Sequence, residues 1–339
     1  MTTSRLDLTR LQILAFRRRV GALDERLPPG RRSLRRAAWA GLQDSMPRAA
    51  LLSIHARVEG AQPSTWEDTS LVQLWGPRYS AYVVAERDRA VFSLGRLPDA
   101  ADRRQIAEDL AARLRAQLGG TKMAYGEAGR ALGLNPNQLR YAAPTGTVLM
   151  RWDGARQPVI WTVAPPDVDP RDARLELARR YLHIFGPATP ESFAGWAGIA
   201  PSQGIATFDA VRKSLAPVRT PIGEAWILVR DEASFRAAPG PVAPARLLPS
   251  GDSYFLLHGD DRELLVPDRG RRPALWTSRV WPGAVLVDGE IVGTWRRSQN
   301  TVSIQTWRRL ARTGRDAVEA EAASLPLPTI GKIGVRWDD

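Results

Sequence analysis

Residues 125–163, YGEAGRALGLNPNQLRYAAPTGTVLMRWDGARQPVIWTV, decide the fold. A short helix is predicted over Tyr125 to Leu132, and Gly133 suits the turn that ends it. Asn135-Pro136 then begins a second helix, because proline fits the first turn of a helix. Helix, glycine-containing turn and second helix predict a helix-turn-helix, with residues 137–142 as its recognition helix.

The second half of this stretch predicts a β-hairpin. Two apolar runs, Thr147 to Trp152 and Pro158 to Val163, are separated by a short polar segment that contains Asp153-Gly154. An Asp-Gly pair between two such runs is typical of a tight hairpin turn. An amphipathic helix over Arg103 to Leu118 precedes the whole motif. A helix-turn-helix followed by a hairpin indicates a winged helix, with the hairpin as its wing.

The same order of elements recurs on either side. Before it come three predicted helices, the third beginning at Pro47, and two strand-like runs, Tyr79 to Val84 and Ala90 to Leu94. After it, a helix over Ala173 to Phe185 and two shorter helices precede a strand over Ile222 to Val229. The repeat of about sixty to seventy residues is too long for a solenoid repeat, so each copy is interpreted as a domain.

Beyond residue 240 the helical period disappears. The strands predicted there are Tyr254 to His258, Leu264 to Pro267, Ala284 to Asp288, Glu290 to Trp295, Thr301 to Trp307 and Ile330 to Trp337. We therefore predict an α+β protein with three tandem winged-helix domains and a small C-terminal β-barrel. The predicted domains are 1–98, 99–165, 170–236 and 240–339.

The charge of the chain is strongly asymmetric. Its net charge is +12, and only three of its 48 basic residues are lysines. Residues 1–60 contain twelve arginines and five acidic residues, and therefore carry more than half of the net charge. Arginine pairs with phosphate through two parallel hydrogen bonds, so this asymmetry favours an anionic partner such as nucleic acid.

Composition excludes several classes of site. The chain has no cysteine, which excludes disulfides, thiolate zinc sites and cysteine nucleophiles. Its three histidines, His55, His183 and His258, are scattered, so no metal and no cofactor are expected. No apolar run approaches the length of a membrane span, and no secretory signal is visible. A cytoplasmic, nucleoid-associated monomer is expected.

Three ordered blocks of sequence carry a resemblance to a known family. They are GLQ at residues 41–43 with PRAALL at 47–52, RRYLHIFGPATP at 179–190, and LLP at 247–249 with LVDGEIVGTW at 286–295. With these blocks the chain resembles the bacterial winged-helix DNA-binding proteins that include the AlkZ/YcaQ-type DNA glycosylases. The resemblance implies three winged helices, a C-terminal β-barrel and hydrolysis of the N-glycosidic bond of alkylated purines, including bulky adducts.

The catalytic signature of that family is altered here. The resemblance implies a Gln-x-Gln or Gln-x-Asp pair before the Pro-Arg-Ala helix, and this chain has Gln43-Asp44-Ser45. Gln43 would position a water, with Asp44 or Ser45 assisting. Asp44 and Ser45 also suit a helix cap, and for both of them capping is the simpler interpretation. Residues 76–80 lack the histidine that family members often carry in this hairpin.

Several residues are predicted to contact double-stranded DNA through phosphates or base edges. They are Arg35, Arg36, Arg48, Arg57, Arg78, Asn137, Gln138, Arg140, Arg151 and Arg156. His55 lies in an apolar helix and is predicted to be a packed, hydrogen-bonded residue.

Two main functions remain open on the sequence alone, and a dimeric wing-type repressor is a third alternative, although three tandem winged helices would not require dimerisation. One is a monofunctional DNA glycosylase, since no lysine lies near the motif to form a Schiff base. The other is a non-catalytic DNA-binding protein, either a regulator or a lesion sensor, that has lost this chemistry. A motif facing a basic cleft favours the enzyme, whereas Asp44 and Ser45 both acting as caps favour the binding protein.

Overall fold

The structure is a computed structural model, and it describes residues 5–154, 156–257, 259–327 and 332–338. The α-helices among them are α1 (Arg10–Val20), α2 (Arg31–Ala37), α3 (Ala49–Arg57), α4 (Arg89–Ser93), α5 (Ala101–Leu118), α6 (Tyr125–Ala131), α7 (Pro170–Phe185), α8 (Pro190–Ala197), α9 (Pro201–Ala210), α10 (Glu232–Arg236), α11 (Asp261–Leu265), α12 (Arg272–Leu275) and α13 (Arg312–Ala323). The strands are β1 (Leu6–Asp7), β2 (Leu42–Gln43), β3 (Leu71–Trp75), β4 (Ala81–Ala85), β5 (Met123–Ala124), β6 (Val148–Arg151), β7 (Val159–Thr162), β8 (Leu215–Thr220), β9 (Gly223–Leu228), β10 (Ala245–Leu248), β11 (Gly283–Val287), β12 (Glu290–Ser298), β13 (Thr301–Thr306) and β14 (Gly334–Trp337). The mixed α+β class is confirmed.

One six-stranded sheet joins the first two predicted units. Its order is β2-β4-β3-β6-β7-β5, so the hairpin β3–β4 and the predicted wing β6–β7 lie side by side. The two hairpins meet where Gln73 of β3 pairs with Met150 of β6. A hairpin that shares a sheet with its neighbour has fewer open edges than an isolated one. The predicted boundary near residue 98 is therefore crossed by a continuous sheet.

The predicted strand over Ala90 to Leu94 is wrong. Residues 90–93 belong to α4 and Leu94 begins the 3-10 helix that follows it; Ala90 and Leu94 pack together against Ala173 of α7. Residues four apart lie on one face of a helix, and a five-residue apolar run does not distinguish helix from strand by itself. The first hairpin therefore consists of β3 and β4.

The N-terminus packs against the third predicted unit rather than against the first. Strand β1 pairs in parallel with β8, with Leu6 opposite Val218. Phe16 of α1 stacks on Phe235 with their ring centroids 3.7 Å apart. Strands β1, β8 and β9 form one sheet, so residues 6–7 complete a sheet whose other strands lie more than 200 positions away in sequence.

The C-terminal sheet corrects the predicted β-barrel. Its order is β10-β11-β12-β13-β14, and no pairing between β10 and β14 closes it within the described residues. Helix α13 covers one face through Val318 and Ala322, which pack with Val285 and Ile304. A sheet whose apolar face is covered by a helix buries that face without closing on itself.

Two predicted strands of this region are absent from the described residues. Residues 254–257 form a turn in which Asp252 accepts the N–H groups of Tyr254 and Leu256, and His258 lies outside the described residues. Leu264 and Leu265 belong to α11. The predicted strand from Ile330 begins outside the described residues and is observed as β14. None of the described helices is both long and apolar enough to cross a membrane.

Candidate functional site

Gln43 lies at the end of β2, where it pairs with Tyr82 of β4. Its side chain is half-buried, and its Oε1 accepts a hydrogen bond from Nη2 of Arg78 at 3.0 Å. Gly251 packs against the same amide: a Cβ there would lie 3.1 Å from Nε2, and the φ of +75° also favours glycine. The amide of Gln43 is therefore held in one orientation, between Arg78 and the loop that contains Gly251.

Asp44 turns the other way, into the interior. Its carboxylate accepts the N–H of Ala50 at 2.9 Å and Nε2 of Gln73 at 2.6 Å. Oε1 of Gln73 in turn accepts the N–H of Trp152 at 2.5 Å. The backbone N–H of Trp152 can only donate, so it fixes Oε1 of Gln73 on its side and directs the Nε2 group toward the carboxylate of Asp44. Asp44 thus ties the first turn of α3 to both hairpins.

The charge state of Asp44 is set by opposing effects. Burial, the largest of them, raises the pKa of Asp44 to about 7. The hydrogen bond from Ala50 and the guanidinium groups of Arg48 and Arg151 act in the opposite direction and lower this pKa. Asp44 is only 1% exposed, so its carboxylate does not reach the surface of the site.

Ser45 is exposed, and its side chain has no hydrogen-bond partner among the described residues. Helix α3 begins at Ala49 instead of Pro47, because Arg48 has a left-handed backbone with φ of +62°. The helix therefore has no side-chain cap from Ser45, and Asp44 contacts its first turn instead. Of the two proposed caps, only Asp44 takes that position.

Two predicted DNA-contacting arginines lie on one indole beside the motif. The guanidinium carbons of Arg48 and Arg151 are 4.9 and 4.3 Å from the ring centroid of Trp66. Nη2 of Arg151 donates to the carbonyl of Trp66, and neither arginine forms an ion pair within 4 Å among the described residues. Nη1 of Arg48 is buried without a hydrogen-bond partner in the described chain. Unpaired guanidinium groups of this kind suit an anionic ligand.

The tip of the second hairpin touches the motif loop. A Cβ on Gly154 would lie 2.5 Å from Cβ of Pro47, so only glycine fits this turn. Arg151 precedes the turn and is half-buried, whereas Arg156 follows it and is exposed. The predicted wing thus brings Arg151 close to Asp44 and Arg48, with Gly154 against Pro47.

Arg57 is a correction. We predicted a DNA contact, but its side chain is 3% exposed and forms a bidentate ion pair with Asp252, with both N···O distances 2.7 Å. Ser53 and Ser253 complete its hydrogen bonds, through the Ser53 carbonyl and the Ser253 hydroxyl. A guanidinium paired in this way in the interior is not available to a phosphate.

The other predicted contacts are at or near the surface. Arg36, Asn137 and Gln138 are exposed, and Arg35 and Arg140 are half-buried. The predicted recognition helix is a ten-residue 3-10 helix, Pro136–Thr145, with a proline inside it. Because proline has no backbone N–H, Pro144 removes a hydrogen-bond donor from the interior of this helix.

His55 is buried in α3, and its Nε2 donates to Oγ of Ser324 at 3.1 Å, since that hydroxyl already donates to the carbonyl of Glu321. Burial lowers the pKa of His55 to about 4, so the ring is neutral at pH 7. No group of three or more His, Cys, Asp or Glu side chains in the described part of the chain has the geometry of a metal site.

A cleft of about 430 Å³ opens beside the motif loop. Met46, Pro47, Arg296 and Arg297 line it, and so does Ser250, which is next to the Gly251 that packs against Gln43. The motif therefore borders a cleft that has basic residues in its wall.

Sequence reasoning missed Gln73, Asp252 and Trp66. Gln73 is the one polar residue in the strand LVQLW, and a polar side chain within such a run signals a buried hydrogen-bond network. Asp252 and Trp66 gave no local signal, because their partners are far away in sequence.

Comparisons with known proteins point in one direction. A sequence model described as "DNA glycosylase AlkZ-like" matches residues 36–326. A Streptomyces sahachiroi protein described as "Interstrand DNA cross-link repair glycosylase" is 29% identical over 174 residues, 50% of this chain and 46% of that protein. The match thus spans about half the length of this curated relative. The solved structure of "Streptomyces sahachiroi DNA glycosylase AlkZ" superposes with a TM-score of 0.78 at 18% identity, covering 98% of this chain and 100% of that one.

Proposed function

The chain belongs to the AlkZ-like DNA glycosylase family, and from this premise we propose that it is a monofunctional DNA glycosylase. Its substrate would be double-stranded DNA that carries alkylated or bulky purines, in DNA repair or self-resistance to a genotoxin. The curated relative is described as acting in interstrand cross-link repair, so cross-linked purines are included in the proposal. The protein would act as a monomer with three winged helices, and without a metal or cofactor.

The observation that carries this proposal is the fixed amide of Gln43. Arg78 occupies one lone pair of its Oε1 at 3.0 Å, and a carbonyl oxygen has a second. That second lone pair would accept a hydrogen bond from a water and orient it toward the sugar. An N7- or N3-alkylated purine is already cationic and leaves readily, so orienting the water and stabilising the sugar cation are the main tasks left to the protein.

Asp44 and Ser45 would assist from different positions. Asp44 lies beneath the loop, where its negative charge, when ionised, opposes the positive charge that develops on the sugar. Ser45 is exposed at the third motif position and would hold a water there. The unpaired Arg48 and Arg151 would bind phosphates next to the lesion, with Arg35, Arg36, Asn137, Gln138, Arg140 and Arg156 extending the contact surface.

One observation favours the alternative, a non-catalytic binding protein. Both oxygens of Asp44 already accept hydrogen bonds in the interior, and Ser45 carries no charge. A motif of this kind would keep the DNA surface and lose the chemistry. The test must therefore score catalysis and binding separately.

The test is base release from duplexes that carry N7-methylguanine, a bulky N7-guanine adduct or an interstrand cross-link. Wild type is compared with Gln43→Ala and with Gln117→Ala, a matched change at an exposed glutamine of α5. Abasic sites are scored by alkaline cleavage, and duplex affinity by fluorescence anisotropy. We expect release by wild type and Gln117→Ala, and a rate at least about 100-fold lower for Gln43→Ala at unchanged affinity. Tight binding with no release of any lesion would establish the binding protein instead.

A further inference from the structure

A second and larger groove lies beside the turn whose Arg78 holds Gln43, since Tyr79 of that turn lines it. It has a volume of about 980 Å³, the size of a site for a drug-sized ligand. Tyr79 and Tyr141 line it together with the exposed Ile106 of α5 and the loop between α8 and α9. None of the roles proposed above uses this groove.

The two tyrosines form an aromatic wall. Their ring centroids are 5.0 Å apart with the rings edge to face, and Tyr141 is 40% exposed. Arg96 packs against this pair: its guanidinium carbon is 4.8 Å from the ring centroid of Tyr79. Arg96 is itself buried and donates to the carbonyls of Ala197 and Trp75, so it cannot drift away from the ring.

The backbone at Tyr79 is strained. Arg78 and Tyr79 both have left-handed conformations, with φ of +53° and +56°. Two successive bulky residues with positive φ are unusual and occur mainly where function requires them. This turn places Arg78 on the amide of Gln43 and Tyr79 in the groove, so one strained element connects the two sites.

The charges of the groove argue against a phosphate. Asp99 lines the groove but is already paired with Arg174, and Arg96 donates to two backbone carbonyls. The remaining charged side chains of the lining, Asp102 and Arg103, are exposed and of opposite sign. A neutral planar group fits this lining better than an anion. The guanidinium carbon of Arg140, one of the predicted DNA contacts, lies 5.5 Å from the ring centroid of Tyr141, so a predicted DNA contact borders the groove.

From these contacts we propose that the groove binds the planar aromatic part of a bulky adduct whose purine lies at Gln43. This inference rests on the proposed function for the identity of the damaged nucleotide. A groove of this volume is larger than a single base requires, which favours the adduct over the purine as its occupant. Stacking on aromatic side chains tolerates different planar groups, so adducts of different chemistry would share the site.

The test compares three duplexes of one sequence: unmodified, with N7-methylguanine, and with an N7-guanine adduct that carries a tethered anthracene. Affinity is measured by fluorescence anisotropy for wild type, Tyr141→Ala, Tyr141→Phe and Ile205→Ala. Ile205 is exposed on α9 outside the groove and serves as the matched control. We expect wild type to bind the anthracene duplex about tenfold more tightly than the unmodified one. Tyr141→Ala should lose this preference, whereas Tyr141→Phe and Ile205→Ala should keep it.

Two outcomes would overturn the assignment. They are equal affinity of wild type for the anthracene and unmodified duplexes, or a preference that survives in Tyr141→Ala. A preference for N7-methylguanine that is lost together with the anthracene preference would place the purine in the groove, which also contradicts an adduct site. Base release measured on the same samples separates the two proposals. A preference for the anthracene duplex without base release supports the adduct groove and refutes the glycosylase. Base release without that preference supports the glycosylase and refutes the adduct groove.

Discussion

The two ends of helix α3 show how differently this chain uses its arginines. At the N-terminal end, Arg48 and Arg151 lie on Trp66, and neither has an ion-pair partner among the described residues. At the C-terminal end, Arg57 is buried in a bidentate pair with Asp252. Both Arg48 and Arg57 belong to the basic N-terminal segment, yet only Arg48 is available to a ligand. A buried partner carboxylate, rather than position in the sequence, distinguishes Arg57 from Arg48.

The largest effect on stability is expected at the C-terminal end of α3, where Arg57 is paired with Asp252. Asp252→Ala would leave the buried guanidinium of Arg57 without a counter-ion, which costs about 3–5 kcal/mol of stability. Urea unfolding measures this loss directly. The control is the double variant Arg57→Met/Asp252→Leu, which removes both charges and should be far less destabilised than Asp252→Ala. A loss below about 1 kcal/mol in Asp252→Ala would show that the pair is not the structural element proposed here.

The two ends of α3 also differ in how pH acts on them. Folded Asp44 keeps its proton up to about pH 7, whereas the unfolded carboxyl loses it near 3.8, so the stability due to Asp44 falls as pH rises through that window. His55 has the opposite sign. Its pKa is lowered from 6.5 to about 4, so the stability that it contributes is lost as pH falls from 6.5 to 4.

Single substitutions should separate the opposing pH dependences of stability that Asp44 and His55 cause. Relative to wild type, Asp44→Asn should gain about 3 kcal/mol of stability between pH 4 and 6.5, and His55→Gln should lose about the same amount. Urea unfolding at half-unit pH intervals measures both differences. The double variant serves as the control, because its profile should run parallel to that of wild type. Parallel profiles for the single variants would mean that neither group titrates with a shifted pKa.

Local patterns in the sequence predicted much of the fold. The second hairpin was predicted within a residue or two at each end, because Asp-Gly and two alternating runs define it locally. Helices α5 and α7 were also predicted, and both end at the predicted residue. The strand predicted over residues 90–94 failed because a five-residue apolar run suits helix and strand equally well. The closed barrel failed because closure depends on what covers the sheet, here α13, and no local pattern encodes that.

The site was less predictable for the same reason. Gln43, Asp44 and Ser45 were singled out by resemblance, but their directions depend on distant residues. Gln73 draws Asp44 inward, and Arg78 fixes Gln43. Arg57 had the pattern of a surface arginine on a helix, and its partner lies 195 positions away. The domain boundaries and the predicted DNA contacts that remain on the surface stay predictions.

The smallest effect on stability is expected at the N-terminal end of α3, where Arg48 has no ion-pair partner among the described residues. Arg48→Gln shortens the side chain and removes its charge; it breaks no ion pair but loses the contact with Trp66, so stability should fall by only about 0.5–1 kcal/mol. If Arg48 contacts a phosphate, the slope of log affinity against log salt should become shallower by about 0.9, because one fewer counterion is released on binding. Fluorescence anisotropy of an unmodified duplex between low and moderate salt measures this slope. Arg230→Gln, at an exposed arginine outside the predicted contacts, is the matched control and should leave the slope unchanged. Equal slopes for Arg48→Gln and wild type would remove Arg48 from the DNA surface and leave the absence of an ion pair as a poor guide to function in this chain.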